Sequence, residues 1–341
     1  MLTLSAHEGD THATLTRQLA EVERRFAMEL LSDLPSVNAL AEHVERYRGK
    51  MLRPTLVLAC ALAAYPHRAA DDAFQDSVLT VSTVVEMVHM ATLVHDDILD
   101  EAEMRRRGAT INHLRGNEAA VMLGDYLISH AYHLCSAIPS TSASRAIAAA
   151  TNTVCEGELL QLHHRDDWQL TERTYFEIIR RKTASLCGVC CRLPAVLDQG
   201  QVDGGGGPIA AALYGFGEKL GIAFQIIDDV LDLTGDPQEV GKSLGRDLAK
   251  GKPTLPIIRY LSTIDPADRG QLMADLRSLD AYTAGQRLRE LLDAEDCLGY
   301  TRQWAQRLVD DAKEAVTAQL DDSPARRLLL QMADAVISRR V

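Results

Sequence analysis

No continuous apolar stretch of 18 residues occurs in this chain, and no basic segment followed by an apolar core opens it. Both absences argue against a membrane-spanning segment and a secretory leader. Cysteine comes to seven, an odd number without framework spacing, which fits a reducing cytoplasm. Cys187, Cys190 and Cys191 lie at i, i+3 and i+4 in an apolar helical stretch with no second Cys/His cluster at ligand spacing. They read as small core residues rather than zinc ligands. His163-His164 reads as a surface pair at a helix end. Glycine and proline are sparse over most of the length, and alternating apolar–polar runs are missing, so the fold class is all-α. No Cys/His or Ser/His nucleophilic pair is evident. A surplus of cations is absent too: 36 Lys and Arg against 48 Asp and Glu leave a formal charge of −12. That balance argues against nucleic acid or an anionic membrane as the main partner.

What is present is enough apolar material, 46% of 341 residues, to bury a sizeable core. Residues 1–12 are polar and small and are expected to be disordered. Residues 13–341 are expected to form a single domain.

The chain is organised around Val94-His95-Asp96-Asp97-Ile98-Leu99-Asp100. An uninterrupted apolar run precedes it, so one long helix is expected from about Ser77 to Leu99, with the acidic cluster at its C-terminal end. Carboxylates there oppose the helix dipole and repel one another. Asp96 and Asp100, four apart, project from one face. A costly arrangement of this kind points to a cation, and all-oxygen ligands favour Mg²⁺ or Mn²⁺ over zinc. One such cluster is weak evidence, because acidic patches with this spacing are common on solvated helices. The pattern recurs, however, 132 residues on, as Asp228-Asp229-Val230-Leu231-Asp232 after a second apolar helical run.

Cations cluster nearby in sequence. Arg48-Gly49-Lys50-Met51-Leu52-Arg53-Pro54 places Lys50 and Arg53 on a turn entering a helix. An anion site and a solvated basic loop fit those residues equally. A loop over Glu101–Arg115 carries Arg105-Arg106-Arg107, and a helix over about Glu172–Leu197 carries Lys182-Thr183 at its middle. Gln199–Pro208, with four consecutive glycines, is the loosest linker. Thr234–Pro253, rich in Gly and Lys, is a lid candidate. The rest, Thr254 to Val341, shows no chemical motif and reads as scaffold. Carboxylate pairs, cations and apolar helix walls together suit a metal-bridged diphosphate with a hydrocarbon tail.

These residues resemble the trans-isoprenyl diphosphate synthases of the polyprenyl synthetase family. The resemblance runs through Gly49–Pro54, Glu86-Met87-Val88-His89, His95–Asp100, Arg105-Arg106, Gly124-Asp125-Tyr126, Lys182-Thr183-Ala184, Phe224–Asp229 and Gly241-Lys242, in the family's order. It implies an orthogonal α-helical bundle around a central cavity, a homodimer, and condensation of isopentenyl diphosphate with an allylic diphosphate. It also implies that Asp96, Asp100 and Asp228 hold Mg²⁺, about three ions in all. Asp97, Asp229 and Asp232 would be further ligands or water-mediated supports. Lys50, Arg53, His89 and Arg106 would bind isopentenyl diphosphate. Arg105, Lys182, Thr183, Gln225, Lys242 and Lys252 would hold the allylic diphosphate and stabilise its departing pyrophosphate. Periodicity agrees for His89, seven residues before Asp96 on the same face.

Two departures from the family pattern stand out: Arg48-Gly49 in place of Gly-Gly, and Arg105-Arg106-Arg107-Gly108-Ala109-Thr110 in place of Arg-Arg-Gly-x-Pro-Thr. Neither removes a ligand. The alternatives are a short-chain farnesyl or geranylgeranyl diphosphate synthase, a terpene or head-to-head synthase, and a non-catalytic partner subunit. The isopentenyl set argues against a cyclase, and retention of all six aspartates against a non-catalytic subunit. By the resemblance, Thr92, Ala91 and Val88 form the floor beneath the growing product. All three are modest in size. Each isoprene unit needs roughly one helical turn of depth, so an open floor implies a product of about thirty to fifty carbons.

Overall fold

The computed structural model of the chain describes residues 8–47, 49–105, 108–199, 207–234 and 246–339. Arg106 and Lys242 lie outside the described residues, as do 235–245 of the expected lid and 200–206 of the glycine linker. The chain is 82% helical, which makes the all-α reading correct. In order, the helices are α1 Glu8–Glu29, α2 Pro35–Tyr47, α3 Leu52–Ala64 and α4 Asp72–Leu99. The strands β1 Met104–Arg105 and β2 Gly108–Ala109 follow, then α5 Ile111–Arg115, α6 Asn117–Ser136, α7 Thr141–His163 and α8 Glu172–Ile179. After a π-helical turn at Arg180–Ala184 come α9 Ser185–Gln199, α10 Gly207–Thr234, α11 Arg246–Ala249 and α12 Leu255–Leu261. The chain closes with α13 Pro266–Arg277, α14 Ala281–Ala294, α15 Cys297–Gln319 and α16 Pro324–Ile337.

Two expectations are corrected. Helix α1 begins at Glu8, so residues 8–12 are helical rather than disordered. The expected loop over Glu101–Arg115 holds an antiparallel pair, Met104 opposite Ala109 and Arg105 opposite Gly108, and then α5. The described parts of the chain form two compact units, each assembled from separated stretches.

The first unit comprises Met1–Thr151, Cys187–Gly215 and Ala315–Leu330. Its central element is α4, about 42 Å long at the standard rise. Asp71 caps its start, the side chain accepting from Phe74 N at 3.0 Å. Fifteen of its residues are buried, among them Val81, Val84, Val85, Met87, Val88 and Ala91, against α1, α3 and α6. Among the described residues it is the one helix long and apolar enough to cross a membrane, but 72% of that stretch is buried within the protein. It ends after its acidic motif because Glu101 turns left-handed at φ 48°, and Ala102 N donates to Asp97 O at 2.8 Å. All seven cysteines are free, and Cys187, Cys190 and Cys191 are buried as expected of core residues.

The second unit comprises Asn152–Leu186, Phe216–Glu314 and Gln331–Val341. Its core joins Val230 and Leu233 of α10 to Leu248, Ile257, Leu261, Met273, Leu288, Leu292 and Leu298. The helix expected over Glu172–Leu197 is interrupted at the π turn, where Ser185 N reaches back to Arg180 O. The turn lies directly against α7 at Gly157. A Cβ there would stand 2.4 Å from Lys182 N and 2.8 Å from Lys182 Cα, both backbone atoms that cannot give way. Gly157→Ala is therefore expected to destabilise the protein by about 1–3 kcal/mol, the cost of overpacking. Urea unfolding measures this, and an unchanged midpoint would contradict the contact.

Candidate diphosphate and metal site

The two acidic motifs resolve into one pattern of exposure. On α4, His89, Thr92, Asp96 and Asp100 are part-exposed and share one face, whereas Asp97 is buried at 2%. On α10, Phe224, Gln225, Asp228 and Asp232 form the corresponding part-exposed stripe, and Asp229 is buried at 3%. Neighbours on a helix stand about 100° apart, so an Asp-Asp pair cannot present both carboxylates to the same side. The first and last aspartates of each motif face outward and the middle one turns in.

Each inward carboxylate has dedicated donors. Arg105, brought round by the β1–β2 hairpin, donates to Asp97 Oδ1 from Nε at 2.9 Å and from a terminal nitrogen at 2.8 Å. The hairpin is itself tied down: Thr110 N donates to Glu103 O at 3.0 Å, and Asn112 Nδ2 to Ala102 O at 3.1 Å. Arg105, expected on the allylic diphosphate, is thus engaged with Asp97. Asp229 Oδ2 accepts from the Tyr175 hydroxyl at 2.6 Å, and Oδ1 from Gln225 Nε2 at 2.9 Å. Burial first, then the neighbouring Asp247, push the Asp229 carboxyl well above the ordinary carboxylate range. Burial, then Asp229, likewise push the Tyr175 hydroxyl upward.

In the second unit, Lys182, Thr183, Gln225, Asp229 and Lys252 line one cavity of about 100 Å³, together with Gln161, Tyr175 and Asp247. Lys182 Nζ donates to Gln161 Oε1 at 2.9 Å and pairs with Glu158; Thr183 Oγ1 donates to Gln225 Oε1 at 3.1 Å. The π turn aims both residues from mid-helix. Lys252 is nine-tenths buried; its N–H donates to Asp247 O at 2.8 Å, and Asp247 N donates to Asp232 Oδ2 at 3.2 Å. Thr254 Oγ1, on the same wall, is buried without a hydrogen bond. His164, read from the sequence as part of a surface pair, is part-buried on this wall and bonded to Asp167 at 2.7 Å.

In the first unit, Lys50 and Arg53 flank the start of α3, behind Met51 in the left-handed conformation at φ 52°. Arg53 Nε is buried and makes no hydrogen bond. Gly124 makes room for the first motif: a Cβ there would meet the His95 ring at 2.1 Å.

The chain matches the polyprenyl synthetase family model over residues 35–293. It belongs to that family. Octaprenyl diphosphate synthase of Escherichia coli K12 is 32% identical over 327 residues, spanning 95% of this chain and 97% of that one. A short chain isoprenyl diphosphate synthase of Methanothermobacter thermautotrophicus is also 32% identical, over 95% and 98%. Among solved structures, polyprenyl synthase of Caulobacter crescentus CB15, complexed with calcium and isoprenyl diphosphate, superposes with a TM-score of 0.85 at 31% identity and full coverage of both chains. This polyprenyl synthetase chain thus has the all-α isoprenoid synthase fold.

Three residues that sequence reasoning missed stand in or beside the site. Tyr175 and Gln161 sit in helices whose periodicity marked them only as helical. Arg339, within the stretch assigned to scaffold, donates to Asp228 Oδ1 at 2.7 Å and stacks 4.1 Å over the Phe224 ring. No local signal could have found it, since its partner lies 111 residues away.

Among the described residues, no three His, Cys, Asp or Glu side chains gather as a complete metal site. The donor set nevertheless fits Mg²⁺, which takes one or two carboxylates and completes its shell with water and phosphate oxygens. Removing Arg105 would take the guanidinium away from the buried Asp97 carboxylate. Arg105→Ala is expected to cost about 3 kcal/mol, the low end for a broken buried pair because Arg105 is a fifth exposed. Adding Asp97→Asn should recover part of that loss in urea unfolding, and no recovery would deny the pairing its role.

Proposed function

We propose that this chain is a trans-prenyltransferase that joins isopentenyl diphosphate head to tail to an allylic diphosphate. It releases pyrophosphate and builds a polyprenyl diphosphate of medium or long chain. Beyond membership of the family, the reading is carried by the cavity in which Lys182, Thr183, Gln225 and Lys252, from separate stretches of sequence, line one space beside the second acidic motif.

Asp96, Asp100 and Asp228 would hold Mg²⁺, with Asp232 as a further ligand or water-mediated support and Asp97 and Asp229 as supports. Mn²⁺ would serve as a substitute. The bound metal supplies charge neutralisation for a diphosphate that must leave. Lys182 and Lys252 add cations to that diphosphate, and Thr183 and Gln225 orient it. Lys242 and Arg106 belong to the proposed set by the family pattern, outside the described residues. Lys50 and Arg53, at the positive end of α3, hold the isopentenyl diphosphate with His89. The allylic carbon–oxygen bond breaks and its electron pair leaves with pyrophosphate. The isopentenyl double bond then attacks the cation, forming the new carbon–carbon bond. A proton is lost to the departing pyrophosphate, because no side-chain base is evident there.

A homodimer is the expected assembly. Leu114, Val121, Met122 and Tyr132 leave apolar surface on α5 and α6 that a second copy of the chain would cover. Seven free thiols suit the cytoplasm.

The test is incubation of the purified chain with labelled isopentenyl diphosphate, a series of allylic primers and Mg²⁺, followed by product sizing. Asp96→Ala and Asp228→Ala should each lower turnover at least about a hundred-fold with helicity intact. Wild-type rates in both would end the metal reading. Lys50→Ala should raise KM for isopentenyl diphosphate more than that for the primer.

Product length depends on the residues of α4 beneath the growing chain. Thr92 lies on the accessible face, its hydroxyl donating to His89 O at 2.8 Å, whereas Ala91 and Val88 have no exposed surface. A ring at Thr92 meets the growing chain, while one at Ala91 must first be forced into a packed core. Thr92→Phe should therefore shorten the product by one or more units, each about 5 Å of depth. An unchanged product ladder would exclude Thr92 from the floor.

Metal loading must also displace Arg339 from Asp228. The pair is part-exposed and worth up to about 1 kcal/mol, so Arg339→Gln should lower the Mg²⁺ concentration for half-maximal rate by up to about five-fold. An unchanged or higher requirement would contradict this competition.

A further inference from the structure

We propose that Tyr175 is a positioning residue for the allylic diphosphate: through Asp229 it fixes the Gln225 amide, and through Gln225 the Thr183 hydroxyl. The proposal rests on the prenyltransferase reading for its substrate, but its geometry stands within the second unit.

Tyr175 is 3% exposed and lies on α8, one turn before the helix changes to its π geometry. Its hydroxyl donates to Asp229 Oδ2 at 2.6 Å, and that bond stops the carboxyl from rotating about its own axis. Oδ1 is thereby held as an acceptor facing Gln225, which must present its NH₂ group there, at 2.9 Å. The Gln225 carbonyl then faces the other way and accepts from Thr183 Oγ1 at 3.1 Å. Thr183 has one hydroxyl proton, so donating it to Gln225 fixes the rotor. Four side chains from α8, α10 and the π turn thus have a single mutually consistent orientation, set at its buried end by one phenol. All four border the cavity that also holds Lys182 and Lys252.

Phenylalanine has the same shape without the hydroxyl. In Tyr175→Phe the carboxyl can rotate, the Gln225 amide can flip, and Thr183 loses its fixed acceptor. The groups that lose their orientation are those assigned to the allylic diphosphate. Lys50 and Arg53, in the other unit, are not part of this chain of bonds.

The experiment has two arms. In steady-state assays, Tyr175→Phe should raise KM for the allylic diphosphate about five-fold or more and leave KM for isopentenyl diphosphate within about two-fold. A merely structural defect would move both together or lower the melting temperature alone. In the second arm, bound Mn²⁺ is counted by electron paramagnetic resonance with inorganic pyrophosphate present. Tyr175→Phe and Asp229→Asn should keep the wild-type number of Mn²⁺ ions with weaker pyrophosphate affinity, whereas Asp228→Asn should lose an ion. The proposal is overturned if Tyr175→Phe leaves the allylic KM unchanged, or if Asp229→Asn loses an ion as Asp228→Asn does. Should Tyr175→Phe fail to fold, the Asp229→Asn count and its pyrophosphate affinity decide alone. If the wild type condenses no primer, the prenyltransferase reading falls, while the pyrophosphate and Mn²⁺ measurements still test the bond chain.

Discussion

A carboxylate taken out of water must be met by donors, and this chain has to do so twice in its most acidic segments. Two aspartates side by side on a helix diverge by about 100°, so turning one toward a ligand sends the other into the protein. Much of the local architecture answers that constraint. The hairpin after α4 exists to bring Arg105 back under Asp97, and its own bonds through Thr110 and Asn112 keep it there. In the second unit, α8 supplies Tyr175 and α10 supplies Gln225 to Asp229. The outward aspartates gain fixed neighbours as a result, since the helix cannot roll without stranding the inward one.

The contrast between the two solutions is informative. Asp97 is met by a full charge, Asp229 by two neutral donors beside two further carboxylates. Burial and Asp247 therefore drive the Asp229 carboxyl upward against the pull of Tyr175 and Gln225. A buried group balanced in this way depends on donor geometry more than one held by a guanidinium fork. That dependence lets one phenol exert leverage over the whole Gln225–Thr183 edge.

What could be read from the sequence was whatever depends on local spacing. The shared face of His89, Thr92 and Asp96 follows from intervals of three and four, and it is the part-exposed stripe of α4. Ala91, five residues before Asp96, stands about 140° from that face and is buried. The start of α4 was placed about five residues late, because the polar turn after Asp71 carries no apolar period although Asp71 caps it. Partnerships across the sequence were not legible. Arg105 carries no mark distinguishing a carboxylate partner from a phosphate one, and Arg339 resembles any basic residue near a chain end. Nor was the π turn visible. Gly157 and Lys182 lie 25 positions apart, and only their backbone contact explains why a glycine interrupts α7 there.

The acidic balance of the chain is at odds with the proposed diphosphate site until its cations are followed individually. Lys182 pairs with Glu158, Arg105 with Asp97 and Arg339 with Asp228. Each cation is already compensated before any anion arrives, so binding is an exchange of partners rather than the filling of a positive pocket. Such an exchange discriminates by charge density. On the proposed reading, a singly charged anion would gain too little from Lys182 to replace Glu158, whereas a diphosphate with its metal would bring both signs at once. Asp228 would then exchange Arg339 for the metal, and Lys182 would exchange Glu158 for phosphate oxygens. An overall charge of −12 would add to that selectivity, because it disfavours an anion that arrives without its cation.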